Sequence, residues 1–190
     1  MDDPDLVRGC KDGDIECFND LVERYQRMAY NLAFRMLGER SAAQDATQDA
    51  FFSAWRKIGG CQGTNVRAWL MSITANTCRD HLRKVKRNPS IPLESLVQEP
   101  TASPSAESPE DYALRRELNG EIQKGLSTLP AQQRLAVILC DIQGFSYEEI
   151  ARIMGCNIGT VRSRISRGRT QLRDYLSARE LLPHDLRLKE

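Results

Sequence analysis

Phe145–Leu172 reads FSYEEIARIMGCNIGTVRSRISRGRTQL, and the rest of the chain can be organised around it. Ser146 is placed to cap a helix and Glu149 to reach back to it. In this S-x-x-E box each side chain satisfies a backbone N–H left unpaired by the first turn. Phe145 and Ile150 fall where a hydrophobic staple closes across that cap. Tyr147, Ile150, Ala151 and Met154 follow at i, i+3, i+4 and i+7, one face of a helix. Gly155 ends it by taking the positive φ of a helix C-terminus, and Asn157 suits the cap of a second helix. Val161, Ile165, Gly168 and Leu172 give that helix its buried face. Arg162, Ser163, Ser166 and Arg167 share the opposite face, with Thr160 in the first turn and Arg164, Arg169 and Arg173 on the flanks. Two capped helices with a tight turn and an arginine-bearing outer face predict a helix-turn-helix. Arginine binds guanine O6 and N7 in the major groove with two hydrogen bonds, and flanking arginines suit phosphates. A purely structural hairpin would explain the charge but not the agreement of caps, turn and charge.

The 190 residues carry a net charge of only +1, but the charge is segregated. Residues 2–23 hold eight acids against Arg8 and Lys11, whereas residues 79–87, RDHLRKVKR, hold five Lys or Arg against Asp80. Such polarity offers one surface to nucleic acid and another to a protein partner. The acidic N-terminus lacks the apolar segment of a signal peptide, and no apolar run reaches the roughly 18–20 residues that cross a bilayer. A cytoplasmic chain without membrane insertion is expected. Its six cysteines (10, 17, 61, 78, 140 and 156) form no C-x-x-C pair and read as reduced thiols, with Cys140 and Cys156 as small core residues. With only His81 and His184 to add, no metal site is expected. No cofactor motif, glycine-rich phosphate loop or nucleophile–base pair stands out, so no enzyme is expected.

Residues 88–111 contain five of the eight prolines, five acids and no Lys or Arg. That composition predicts a flexible linker dividing the chain into 1–87 and 112–180. Neither part alternates as strands do, so an all-α fold of two small helical domains is expected. In the first, Phe18 to Met36 follows helical spacing and Gly38 stops it. Ser41 and Gln44 form a further candidate capping box, opening a helix with Ala43, Ala46, Ala50, Ala54 and Ile58 on one face and Gly59 and Gly60 at its end. Val66, Trp69, Leu70, Ile73 and Thr77 stripe a third helix that ends in the basic run. The second domain opens with a helix from about Pro109 to Leu126; Pro130 suits the first turn of the next, whose core face is Leu135, Ile138, Leu139 and Ile142, with Gly144 at its end.

Some polar residues have no packing role. Asp45 and Asp49 stack four apart with no cation between them, beside Gln44 and Gln48. They read either as a solvated face or as a docking surface. Arg79, Arg83, Lys84, Lys86 and Arg87 suit phosphates, and Asn76, one turn before Arg79, can bond a base edge exposed in a single strand. Trp69 reads as core or as a stacking platform.

Three segments together resemble the extracytoplasmic-function (ECF) sigma factors, small bacterial initiation factors of the sigma-70 type. DATQDAFFSAWRKI (45–58) is similar to the family's polymerase-binding helix, and NVRAWLMSITANTCRDHLRK (65–84) to its −10 helix, with the R-A-W-L and A-x-N marks. The stretch at 145–172 is similar to its −35-reading helix-turn-helix. The resemblance spans about Asp5 to Leu176 and implies a sigma-2-like domain, a linker along the RNA path and a sigma-4-like domain. It implies that Asp45, Gln48 and Asp49 hold the β′ clamp helices of core RNA polymerase, with the β flap as a further contact. Cys61, Gln62, Asn65, Asn76, Arg79, Arg83 and Lys84 are implied to capture and hold −10 DNA, and Thr160, Arg162, Ser163, Arg164, Ser166, Arg167 and Arg169 to contact the −35 element. An anti-sigma factor is an implied partner, and the chain is expected to be monomeric without partners. D-A-T-Q-D stands where the family has D-L-V-Q-E, and Cys61 where many members have Phe. A stand-alone helix-turn-helix regulator is the alternative; it explains 145–172 but not the first 87 residues. A sigma mimic would not need the arginines of both basic helices.

Overall fold

Helix ends along the chain are set by residues that satisfy orphan backbone groups. The computed structural model describes residues 1–87, 109–179 and 181, and no strand occurs among them. A first helix, α1 (Asp3–Lys11), has Asp2 as its cap and Pro4 in its first turn. It occupies part of the acidic segment that sequence analysis left unassigned, and it is anchored by Leu6, Val7 and Cys10, all buried. Arg24 binds Asp3 at 2.5 Å, and Tyr25 donates to the same carboxylate. The pattern was missed because only three of nine residues face inward.

The next helix, α2 (Ile15–Leu37), ends as expected at Gly38, whose φ of 82° is left-handed. Next comes α3 (Arg40–Lys57), followed by a 3₁₀ turn at Ile58–Gly60. The capping box expected at Ser41 and Gln44 does not form. The helix already starts at Arg40, Glu39 takes the cap position without a side-chain bond, and the Ser41 hydroxyl donates to the Glu39 carboxylate. Ala43, Ala46, Ala50 and Ala54 are at most 1 % exposed, and such small side chains let neighbouring helices approach closely. At the open edge of α3, Phe18 packs edge-on against Trp55, with centroids 4.9 Å apart. The −10-like segment is α4 (Val66–Arg87).

In the second half, α5 (Pro109–Thr128) and α6 (Ala131–Val137) lead into a π turn at Ile138–Ile142. Pro130 takes the cap position rather than the first turn of α6. In the π turn Gln143 N–H bonds Ile138 O, five residues back. The wider winding corrects one expectation: Ile142 rotates outward and is 44 % exposed, while Ala136 and Val137 join Leu135, Ile138 and Leu139 inside. The helix-turn-helix is α7 (Tyr147–Met154) and α8 (Ile158–Ser177). Leu126, Leu135, Ile138, Leu139, Ile150 and Ile165 are fully buried, each stabilising the fold by about 1.5–3 kcal/mol. The expected linker at 88–111 lies outside the described residues up to Pro109, where α5 begins. The two halves pack against each other, and one hydrophobic cluster runs from Leu6 to Ile165 through both.

Candidate nucleic-acid interface and docking face

At the helix-turn-helix both halves of the capping box form. Glu149 N–H donates to Ser146 Oγ at 3.2 Å, and Ser146 N–H to Glu149 Oε2 at 2.9 Å. Gly155 adopts the left-handed conformation, and Asn157 accepts from Thr160 N–H at 2.7 Å. Val161, Ile165 and Gly168 are buried against α6, and Leu172 is half-buried. A Cβ on Gly168 would sit 2.7 Å from Val137 Cγ2, so glycine permits this close approach. The outward face then carries Arg162, Ser163, Ser166 and Arg167, all exposed. The expected −35 set does not all share that face. Thr160 and Arg164 are half-buried, and an Arg164 nitrogen lies 3.5 Å from Cys156 Sγ. Arg169 binds Asp141.

The expected −10 residues separate into two places. Gln62 and Asn65 line a pocket of about 230 Å³ together with Cys61, Thr64, Trp69, Ser72 and Arg152. This is below the roughly 300–1,000 Å³ of a drug-sized site. Asn65 Oδ1 accepts from Ala68 N–H at 2.9 Å, capping α4, while its amide donates to Glu149 Oε1 at 3.1 Å. Those two donors, the Ser146 N–H first and the Asn65 amide second, hold the Glu149 carboxyl below its usual pKa. Cys61 is 1 % exposed, so it forms the floor rather than the rim, and burial pushes its thiol pKa up. Trp69 packs on the core and also lines the pocket. Asn76, Arg79, Arg83 and Lys84 run on along α4, starting about 16 Å beyond Asn65 at 1.5 Å per residue. Arg79 donates to Asn76 and Arg83 to Asp80.

Asp45, Gln48 and Asp49 are exposed on α3. Of the three, Gln48 lines a groove of about 730 Å³ between α2 and α3, where Phe18, Val22, Tyr30, Phe51 and Phe52 supply apolar walls. Phe52 is 58 % exposed and also lines a polar cleft of about 400 Å³ toward α4, beside Asp49, Asp80, His81 and Lys84. Sequence analysis missed Phe52 and Arg152. Phe52 carried a signal, standing three and four residues after Asp49 and Gln48 on the same face; Arg152 carried none, because only the packing of the halves brings it to the pocket. Among the described residues no group of three or more His, Cys, Asp or Glu is placed to hold a metal, and no helix is long and apolar enough to cross a membrane.

An all-α chain with a capped helix-turn-helix and a second basic helix defines a nucleic-acid-binding protein of the helix-turn-helix class. Residues 21–88 match the Sigma-70 region 2 family and residues 119–172 the Sigma-70, region 4 family. The chain is 39% identical over 161 residues to the ECF RNA polymerase sigma factor SigE of Mycolicibacterium smegmatis, covering 84% of this chain and 62% of that longer one. It is 35% identical over 175 residues to the ECF RNA polymerase sigma-E factor of Escherichia coli, covering 89% and 91%. The solved structure of the sigma factor RpoE with the anti-sigma factor NepR from Bartonella quintana is similar at a TM-score of 0.67 and 31% identity, over 84% of this chain and 96% of that one. The chain belongs to the sigma-70 family of transcription initiation factors, in its ECF branch.

Proposed function

We propose that this chain brings core RNA polymerase to promoters by reading two DNA elements with two separate surfaces. The observation that carries this is their coexistence on one chain. The capped helix α8 turns Arg162, Ser163, Ser166 and Arg167 outward, and α4 carries a small pocket at one end and a basic track at the other. The α8 face reads the −35 element in the major groove, where Arg162 and Arg167 supply bidentate donors. Gln62, Asn65 and Trp69 take up one extruded −10 base, and Asn76, Arg79, Arg83 and Lys84 follow the strand beyond it. Extruding a base costs a few kcal/mol, which pocket and phosphate contacts offset; the role is binding without a chemical step. Asp45, Gln48 and Asp49 dock the polymerase, with Phe52 as the apolar anchor among them. The chain works in the cytoplasm, as a monomer until it meets polymerase or an anti-sigma partner of the kind that holds the Bartonella relative.

Run-off transcription on a library of promoter fragments tests this, with core polymerase and the chain each alone and together. Transcripts that need both support the reading. Binding of duplex DNA by the chain alone, without transcripts in the mixture, supports the stand-alone regulator instead. That alternative leaves residues 21–88, which match region 2, without a role.

A further inference from the structure

Residues 61–65 join the 3₁₀ turn to α4, and Gly63 in their middle is buried. Its φ of 77° is left-handed, a conformation that favours glycine. A Cβ there would sit 3.3 Å from Pro4 Cα and 4.0 Å from Val7 Cβ, so the loop backbone lies directly on α1. Cys61, at the pocket floor, has Asp3, Cys10 and Lys11 of α1 within electrostatic reach, and the Gly63 backbone amide faces its sulfur. The helix beneath is itself fixed twice. Leu6, Val7 and Cys10 are at most 3 % exposed. At its first turn, Asp3 accepts from both Arg24 and Tyr25 of α2, and Arg24 also donates to Met1 O at 2.8 Å.

The bonds that fix the loop stand at its ends. Cys61 N–H donates to Ile58 O at 2.9 Å, and Asn65 caps α4. Between them the loop rests on α1 through Gly63. With cysteine rather than phenylalanine at 61, it has little apolar bulk of its own and leans on Val7 and Cys10. We propose that Asp3, Arg24 and Tyr25 are positioning residues for −10 capture: by seating α1 beneath residues 61–65, they fix the shape of the pocket that Gln62 and Asn65 line. The role rests on the function proposed above for that pocket, to which α1 contributes no DNA contact. All of these contacts lie within the first half of the chain, so they do not depend on where the helix-turn-helix sits.

Asp3→Ala and Tyr25→Phe, each in the full chain, test this, since neither residue lines the pocket. Tyr25→Phe removes a hydroxyl and changes no charge. Asp3→Ala removes an acid near the loop, which by itself strengthens binding to DNA of any sequence. Hydrogen exchange read by mass spectrometry follows residues 61–65 directly. Run-off transcription with core polymerase, on fragments randomised at −10 or at −35, follows selection. Circular dichroism confirms that each variant is folded; if Asp3→Ala does not fold, Tyr25→Phe carries the test. One base read by contacts is ordinarily discriminated by a factor of roughly 5–150. Both variants should exchange faster over residues 61–65, with exchange in α8 unchanged. Both should lower discrimination at the captured −10 position by about fivefold and leave the −35 preference as in wild type. Asp3→Asn, which keeps an acceptor for the Tyr25 hydroxyl, should fall between wild type and Asp3→Ala. An α1 that merely adds stability would lower the melting temperature and total transcription without moving the ratio between −10 bases. That result overturns the proposal, as does unchanged loop exchange in both folded variants. Gln62→Ala separates the two readings, because it alters the pocket with α1 intact. If it shifts the −10 preference while Asp3→Ala and Tyr25→Phe do not, the pocket stands and the positioning role falls. If Gln62→Ala leaves the preference unchanged, the assignment of the pocket to −10 DNA falls, and the positioning role with it.

Discussion

Asp141 holds Arg169 with both carboxylate oxygens, accepting from Nε at 3.0 Å and from Nη2 at 2.5 Å. The pair ties the π turn to the recognition helix and keeps the guanidinium charged, with its pKa raised chiefly by that hydrogen bonding. Both side chains are more than a third exposed or close to it, so the pair contributes under about 1 kcal/mol to stability. Its effect is on DNA: a carboxylate beside Arg169 opposes phosphate contact. Asp141→Asn should strengthen duplex binding at low salt and steepen the dependence of log K on log salt by about 0.9. Titration across a salt series measures this, and an unchanged slope removes Arg169 from the DNA contacts.

Glu149 links the capping box to Asn65, and its carboxyl is held below the ordinary value of 4.5, chiefly by the Ser146 N–H. A group depressed in the folded state binds protons more readily when unfolded. Its stabilisation is therefore complete above about pH 4.5 and is lost as pH falls through the lower folded value. Thermal melts from neutral pH to pH 3 should show wild type losing more stability than Glu149→Gln over that acid range. Parallel curves would remove Glu149 as a source of acid sensitivity.

Exchanging glycine for alanine inside a helix ordinarily gains about 0.5–1 kcal/mol. Gly168→Ala should do the reverse. The new Cβ would meet Val137 Cγ2 at 2.7 Å and Gln133 O at 3.3 Å, and β-branched Val137, 2 % exposed, has little freedom to turn aside. Overpacking of this kind costs about 1–3 kcal/mol, which lowers the melting temperature by several degrees. A melting temperature at or above that of wild type would show that α6 and α8 can move apart.

Burial pushes the Cys78 thiol up to about 12 and the Cys10 thiol up to about 11. Since the thiolate is the reactive form, both should resist alkylation in the folded chain at neutral pH, as should buried Cys61. Cys156, half-buried, should be labelled first. Mass spectrometry after brief iodoacetamide treatment gives the order. Cys61→Ser and Cys78→Ser should leave any peroxide response unchanged; loss of the response in either would make that thiol the sensor.

Phe52→Ala should weaken core polymerase binding by about tenfold, the scale of a buried aromatic anchor in an interface. Because Phe52 is mostly exposed in the chain, the melting temperature should barely change, and duplex binding through α8 should not change at all. Equal polymerase affinity for variant and wild type would place the docking surface elsewhere on α3.

The helix-turn-helix was legible almost residue by residue. Ser146, Glu149, Gly155 and Asn157 each act within a few positions of their own place in the chain, where local rules are strongest. The alanine face of α3 was equally plain. Ser41 was misread because the helix starts one residue before it, with Glu39 in the cap position, and Ile142 because a π turn shifts the period on which the face was counted. Of the candidate site, the loop around Asn65 and the exposed face of α8 were foreseen. Arg152 beside the pocket and Gln123 on the end of α2 were not, since both are brought there by contacts between residues roughly 80–90 apart in sequence, which no local pattern encodes.

The carbonyl end of α2 is finished by side chains that belong to the other half of the molecule. A chimera joining this first half to a relative's second half would therefore inherit an unfinished helix unless the graft carried equivalents of Gln123 and Arg134. The two halves are not freely interchangeable parts, and a change that looks confined to promoter reading at one end of the chain can reset the behaviour of the other.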